Sequence, residues 1–310
     1  MKRISFDIRS SWVKWGLVSL VFLLVTGTGC FFVVYHSLHS ASKDMHSPID
    51  RDVSAKRDDQ VSFDEKDPFS VLLLGIDERE GDAGRSDTMI VLTVNPDKKK
   101  TTLLSIPRDT YAEISGRGDK NKINHAYAYG GVKMAMETVE HMLDIPLDYY
   151  IKVNMEGFED MIDVLGGVKV TNSLAFESGG YRFPVGDLVL NGKQALSYTR
   201  MRQDDPDGDF GRQERQREII QSVLRQGSSL STILNTGDIL QSLGENVKTN
   251  LTFNQLIDIQ NDYRQAADHI EQISLDAGTN KYINGIYFYV IPEETIAAVQ
   301  KVLRGELELY

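Results

Sequence analysis

Cysteine is almost absent: Cys30 is the only one in 310 residues, and it lies in an apolar N-terminal run. The folded part of the chain therefore has no disulfide and no thiolate metal site. A basic surplus is missing too. The net charge is −11, and residues 1–14 carry Lys2, Arg3, Arg9 and Lys14 against Asp7, so the remainder is more acidic than the total. Nucleic-acid binding draws its main affinity from neutralising phosphates with a basic face, so no nucleic-acid partner is expected. No Gly-x-x-x-x-Gly-Lys-Ser/Thr loop occurs, which argues against a P-loop NTPase. There is no Gly-x-Ser-x-Gly elbow and no His-x-x-x-His pair. Neither an internal repeat nor a low-complexity segment is found.

What is present begins with one long apolar run. Residues 15–35, Trp15 to Tyr35, carry no charge and can cross about 30 Å of hydrocarbon as a helix. Basic residues precede the run and a mixed, acid-leaning stretch (Asp44, Asp50, Arg51, Asp52) follows it. By the positive-inside rule, residues 1–14 are cytoplasmic and the rest of the chain is extracytoplasmic on a single-pass cell-membrane anchor. A cleaved signal peptide is disfavoured because no small-residue cleavage site follows a short apolar core. A lipoprotein is disfavoured because Gly27 stands where leucine is usual and the run continues past Cys30. Residues 36–66 are polar and hold one aromatic ring, Phe63, and are expected to be a flexible extracellular tether.

Residues 67–310 are expected to form the folded domain. Phe69–Leu74, Thr88–Val94 and Thr101–Ile106 are short β-branched runs, and the turn at 95–97 predicts a hairpin between the last two. Helical spacing marks 126–143, 157–165, 191–199, 210–224 and 293–303. Further strands are expected at 149–153, 168–170, 270–275 and 286–290. Helices and strands interleaved in this way indicate an α/β sandwich.

Chemistry concentrates at strand ends. Asp77 follows the first strand, and Asp87 opens the second, ten residues later. Two carboxylates meeting at one sheet edge repel unless a cation joins them, and oxygen-only ligation suits Mg²⁺; taken alone, both are more often turn or cap residues. Arg79, Arg85 and Arg108 lie near them in sequence. Farther on, Arg200 and Arg202 precede an acidic loop, and Asp209 is placed to cap a helix carrying Arg212 and Gln216 one turn apart. A helix N-terminus with Arg and Gln is a seat for an anion. Arg215 and Arg217, if turned away from Arg212, are expected to matter less. His125 is the best-placed histidine and is read as structural.

Seven runs, taken in order, resemble the LytR–CpsA–Psr family of cell-wall phosphotransferases: Leu74-Gly75-Ile76-Asp77, Gly84-Arg85-Ser86-Asp87-Thr88, Ser105-Ile106-Pro107-Arg108-Asp109, Lys122-Ile123-Asn124-His125-Ala126-Tyr127, Leu190-Asn191-Gly192-Lys193-Gln194-Ala195-Leu196, Arg200-Met201-Arg202, and residues 209–216. They span 69 to about 225; beyond about 230 no motif is recognised. The resemblance implies a three-layer α/β/α sandwich around a mixed central sheet, with an apolar channel for a polyprenyl tail. It implies an extracytoplasmic enzyme that moves an anionic glycopolymer, such as wall teichoic acid, from an undecaprenyl-diphosphate carrier to a peptidoglycan sugar hydroxyl. Undecaprenyl phosphate leaves. The implied metal ligands are Asp77 and Asp87, holding Mg²⁺, with Mn²⁺ as a substitute. The diphosphate is expected among Arg85, Arg108, Lys122, Arg200, Arg202, Arg212 and Gln216, with Asp87, Arg108, Asp109 and Arg202 catalytic. Either Asp87 or Asp109 can serve as base. Two alternatives remain open: a polyprenyl-diphosphate binder or hydrolase, and a membrane-bound attenuator of transcription. The latter is disfavoured by a cytoplasmic segment of only residues 1–14.

Overall fold

The computed structural model describes residue 36 and residues 38–51, 53–77, 84–202, 205–227 and 237–309. The apolar run at 15–35 and Arg79 lie outside the described residues. Among the described residues, no helix is long and apolar enough to cross a membrane.

The centre is a six-stranded mixed sheet. β1 (Phe69–Ile76) and β2 (Ser86–Asn95) pair antiparallel, and β2 pairs antiparallel with β3 (Lys100–Ser105) through the predicted hairpin. β6 (Tyr149–Val153) lies parallel to β1 on the other side. The edges are β11 (Val247–Thr249) and β12 (His269–Ile273), giving the order β11-β6-β1-β2-β3-β12. Both edge strands therefore come from the part of the chain that carries no recognised motif.

Period-two alternation sorts the strand side chains onto two buried faces. Leu72, Leu74, Ile76, Met89, Val91 and Leu104 face one layer, where α2 (His125–Leu143) and α8 (Glu293–Glu306) contribute Ala135, Met136, Val139, Val299 and Leu303. Phe69, Val71, Ile90, Leu92 and Leu103 face the other, where α5 (Asp209–Gly227) and α7 (Phe253–Asp262) pack Ile220, Leu224, Leu256 and Ile259. Each fully buried aliphatic side chain contributes about 1.5–3 kcal/mol. Helices thus cover both faces of a mixed sheet. The pair Gly130-Gly131 breaks α2 internally: Gly131 takes φ 65°, a left-handed conformation open to glycine.

Three short antiparallel pairs, β4 (Tyr111–Glu113) with β5 (Lys120–Lys122), β8 (Phe176–Ser178) with β9 (Tyr181–Phe183) and β13 (Thr279–Ile283) with β14 (Ile286–Val290), and the helix α6 (Gly237–Asn246) lie outside the central sheet. A smaller cluster sits beside the sheet. α3 (Met155–Val164), α4 (Gly192–Arg200) and the antiparallel pair of β7 (Val168–Asn172) with β10 (Gly186–Leu190) enclose Ile162, Val168, Phe183, Tyr198 and Ile219. α4 begins with a capping box in which Asn191 and Gln194 satisfy each other's backbone N–H groups.

The stretch expected to be a flexible tether is instead docked on the domain from residue 38 onward. Residues 38–45 form the helix α1, and His46 bridges to Thr249. Arg51 Nη1 donates to Glu140 Oε2 (2.6 Å), Ser54 Oγ donates to Glu140 Oε1 (2.5 Å), and Arg57 forms a two-pronged ion pair with Asp148 (2.8 and 3.0 Å). Phe63 packs its ring against Phe69, Tyr149 and Tyr263. A polar composition signals solvation only when its charges lack partners; here Glu140 and Asp148 wait for them inside the domain.

Candidate functional site

The site forms where β1 and β3 end and β2 begins. β1 stops at Ile76, and the N–H of Asp77 then donates to the carbonyl of Arg85 (3.4 Å). Gly75 pairs with Thr88 while Ile76 pairs with Ser86, so Asp87 is the extra residue of a β-bulge. Bulges re-aim a side chain out of the sheet's alternation. Gly75 permits the close approach, since a Cβ there would lie 2.9 Å from the Thr88 Cβ.

After β3, Ile106-Pro107 leads to Arg108 and Asp109 in a turn held from three sides. Thr110 Oγ1 donates to the Pro107 carbonyl (2.6 Å), the Asn124 N–H to the Arg108 carbonyl (3.3 Å), and the Tyr289 N–H to the Asp109 carbonyl (2.9 Å). Arg108 Nη1 donates to Asp87 Oδ1 at 2.9 Å, and Lys122 Nζ ion-pairs with Asp109 Oδ1 at 2.6 Å. Burial pulls the Arg108 guanidinium down, but the charges of Asp87, Asp209 and Asp109 outweigh it and hold its pKa above the ordinary arginine value.

α5 brings the third group. Arg212 Nη2 lies 2.8 Å from Asp209 Oδ1, an ion pair whose geometry leaves that oxygen without a hydrogen bond. The Arg212 side chain is only 11% exposed, and its Nε has no partner. Burial lowers its pKa; Arg108 and Arg202 push the same way, while Asp209 and Asp87 oppose them. Arg202 reaches 3.9 Å from Asp209 and remains half exposed. Asp87, Arg108, Arg212 and Gln216 line one crevice between the sheet and α5, with Ile90 as its apolar side, while Met89 and Ile106 border it with side chains packed in the α2–α8 layer.

Of the residues expected to surround a diphosphate, Arg108, Lys122, Arg202, Arg212 and Gln216 therefore converge, together with Asp87 and Asp109 from the expected catalytic set. Arg85 is exposed at the start of β2, and its charge, after burial, helps hold the His125 pKa below the ordinary value. Arg200 ends α4 exposed, and the contacts that tie the cluster together do not include it.

Arg215 corrects the expectation that it matters less. It is buried, its Nε and Nη2 donate to the carbonyls of Tyr198 and Met201 (3.1 and 2.6 Å), and Nη1 pairs with Asp205 at 2.5 Å. Arg215 thus fixes the segment that carries Arg202. Gly211 makes room for the same carboxylate: a Cβ there would meet Asp205 at 2.0 Å. Two further residues escaped the sequence reading. Asp209, read only as a cap, bridges Arg212 toward Arg202. Tyr287, on β14 (Ile286–Val290), places its ring 5.6 Å from the Lys122 ammonium. An aromatic in a short strand carries no signal that distinguishes it from a core residue.

Comparison with known proteins follows this geometry. The LytR_cpsA_psr family model matches residues 32–305. The polyisoprenyl-teichoic acid–peptidoglycan teichoic acid transferase TagU of Bacillus subtilis strain 168 is 50% identical over 293 residues, 94% of this chain and 95% of the relative. A crystal structure of an Enterococcus faecalis protein described as a transcriptional regulator superposes with TM-score 0.74 at 40% identity, covering 81% of this chain and 91% of that one. TagT bound to LIIa-WTA superposes with TM-score 0.74 at 34% identity, covering 85% and 100%. Strand-end aspartates, clustered arginines, a family match over most of the length and a relative at 50% identity lead to one conclusion: this chain belongs to the LytR-CpsA-Psr family.

Proposed function

We propose that the chain is a phosphotransferase that moves an anionic glycopolymer from an undecaprenyl-diphosphate carrier to a peptidoglycan hydroxyl, outside the membrane that its N-terminal run anchors. The observation that carries this is the buried, half-satisfied Arg212 facing the Asp87–Arg108 pair across a crevice with one apolar side. A buried guanidinium with an open N–H is a costly arrangement unless an anion completes it.

In this reading the diphosphate lies along Arg108, Arg212 and Gln216, with Lys122, Arg202 and the exposed Arg85 and Arg200 nearer the polymer. The prenyl tail leaves the crevice along Ile90 toward Ile220 and Leu224, the apolar side chains that α5 lays on this face of the sheet. Asp77 and Asp87 would hold Mg²⁺. Their donors are oxygens only. That fits an ion which takes one or two carboxylates and completes its shell with substrate phosphates and water. When bound, the ion supplies charge neutralisation at the phosphoryl oxygens. The acceptor hydroxyl attacks the phosphorus nearer the polymer, forming a new P–O bond as the bond to undecaprenyl phosphate breaks. Arg108 and Arg212 stabilise negative charge on the transferring and leaving oxygens, and the hydroxyl proton passes to Asp87 or Asp109.

The test uses the full chain in detergent with a short-chain polyprenyl-diphosphate glycan, peptidoglycan fragments, and Mg²⁺ or EDTA. The reading expects a phosphodiester-linked glycan that requires Mg²⁺ and disappears in Asp87→Ala and Arg108→Ala. Polyprenyl phosphate released without linked product would overturn transfer in favour of hydrolysis.

A further inference from the structure

A second cavity opens on the other side of the N-terminal turn of α5. It holds about 320 Å³, at the lower end of small-molecule sites, and shares Ser105 and Gln213 with the arginine crevice. Its wall carries Asp207, Glu214 and Asp276 against one guanidinium, Arg217. Phe210 lies at its edge, 37% exposed, with its ring edge-on to Tyr289 at 5.5 Å. Ser105 is only 3% exposed, and its Oγ has no hydrogen-bond partner. A buried hydroxyl at a cavity wall with no partner is a valence left for a ligand.

We infer that this cavity is the subsite for the acceptor: one neutral sugar ring of the receiving glycan, its hydroxyls accepted by the carboxylates and its apolar face laid on Phe210. The inference rests on the transfer reading above and adds where the second substrate sits. Three carboxylates to one guanidinium repel a polyanionic donor and leave the hydroxyls of a neutral sugar as preferred partners. The arginine crevice has the opposite preference, so the two substrates sort by charge into neighbouring pockets. Tyr289 joins them. Its backbone N–H holds the Asp109 carbonyl (2.9 Å), its hydroxyl donates to the Leu275 carbonyl on the cavity wall (2.8 Å), and its ring supports Phe210. A sugar seated against Ser105, three residues before Arg108, has a hydroxyl directed toward the diphosphate.

The experiment measures two quantities in the full chain in detergent. One is binding of a soluble β-1,4-linked N-acetylglucosamine tetramer, by saturation-transfer NMR. The other is transfer kinetics with donor and acceptor varied separately. Phe210→Ala and Asp276→Asn are the variants, with Ser105→Ala as a third that removes a hydroxyl bonded to nothing in the fold. Expected are tetramer binding by the parent chain, an acceptor KM raised about tenfold in Phe210→Ala, and donor KM unchanged within twofold. An unchanged acceptor KM in all three variants overturns the inference, as does a parent chain that transfers glycopolymer but gives no saturation transfer to the tetramer. If the parent chain binds the tetramer through Phe210 but transfers nothing, the sugar site stands and the transfer reading falls.

Discussion

α5 carries two buried arginines three residues apart, and they live in opposite circumstances. Arg215 spends its donors on two backbone carbonyls and on Asp205, with side chains 8% and 4% exposed. Arg212 is as deeply placed, yet its Nε is unmatched and its one anionic partner is held in poor geometry. Eight buried side-chain atoms lack a hydrogen bond among the described residues, and five of them (on Ser86, Ser105, Asn124, Asp209 and Arg212) belong to this site or border it. A closed cluster maintains a shape, whereas an open one waits for a ligand.

The largest effect that tests this contrast is Arg215→Ala. Breaking a buried pair strands the Asp205 charge and costs about 3–5 kcal/mol, so chemical unfolding shifts and activity falls with it. Arg212→Gln reverses the pattern. Turnover is expected to fall about 10²–10³-fold while the unfolding midpoint barely moves, because the native fold makes little use of that guanidinium. Comparable loss of stability in both variants would erase the distinction. Asp87→Asn sharpens it further: the Mg²⁺ concentration for half-maximal turnover should rise about tenfold or more, with folding unaffected. The smallest effect concerns His125. Burial, then the charges of Arg85 and Lys122, lower its pKa from the ordinary 6.5, against the pull of Asp109. The unfolded chain therefore takes up the proton first as pH falls, so stability present above about pH 6.5 declines from there down through the folded pKa. Arg85→Ala should raise the His125 pKa, read by NMR titration.

Much of this was legible in the residues. β6 and β14 lie where their patterns predict them and the other expected elements match to within a few residues, whereas β10, β11 and α7 have no counterpart among the expected elements. From the charged runs, Asp87, Arg108, Asp109, Lys122, Arg202, Arg212 and Gln216 do converge. The bulge at Asp87 was not legible, since it depends on how two strands register. Nor was the docking of Arg51, Ser54 and Arg57, whose partners Glu140 and Asp148 lie more than eighty residues away. The chain beyond about residue 230 carries no recognised motif, yet it supplies two sheet edges, the face made by α8, and the Tyr287 and Tyr289 contacts.

By itself the sequence determined what is local: strand alternation, the capping box at Asn191, the hairpin after Asn95, and the stock of aspartates and arginines placed at strand ends. Those follow from forces acting within a few residues. Only the tertiary structure decided which arginine is spent and which is free to bind. Helical spacing sets Arg212, Arg215 and Gln216 on neighbouring positions of one helix. Tyr198, Met201 and Asp205 close over Arg215, while the sheet edge with Asp87 and Arg108 faces Arg212 and Gln216. That division is made by what packs against the helix, which no window of sequence contains.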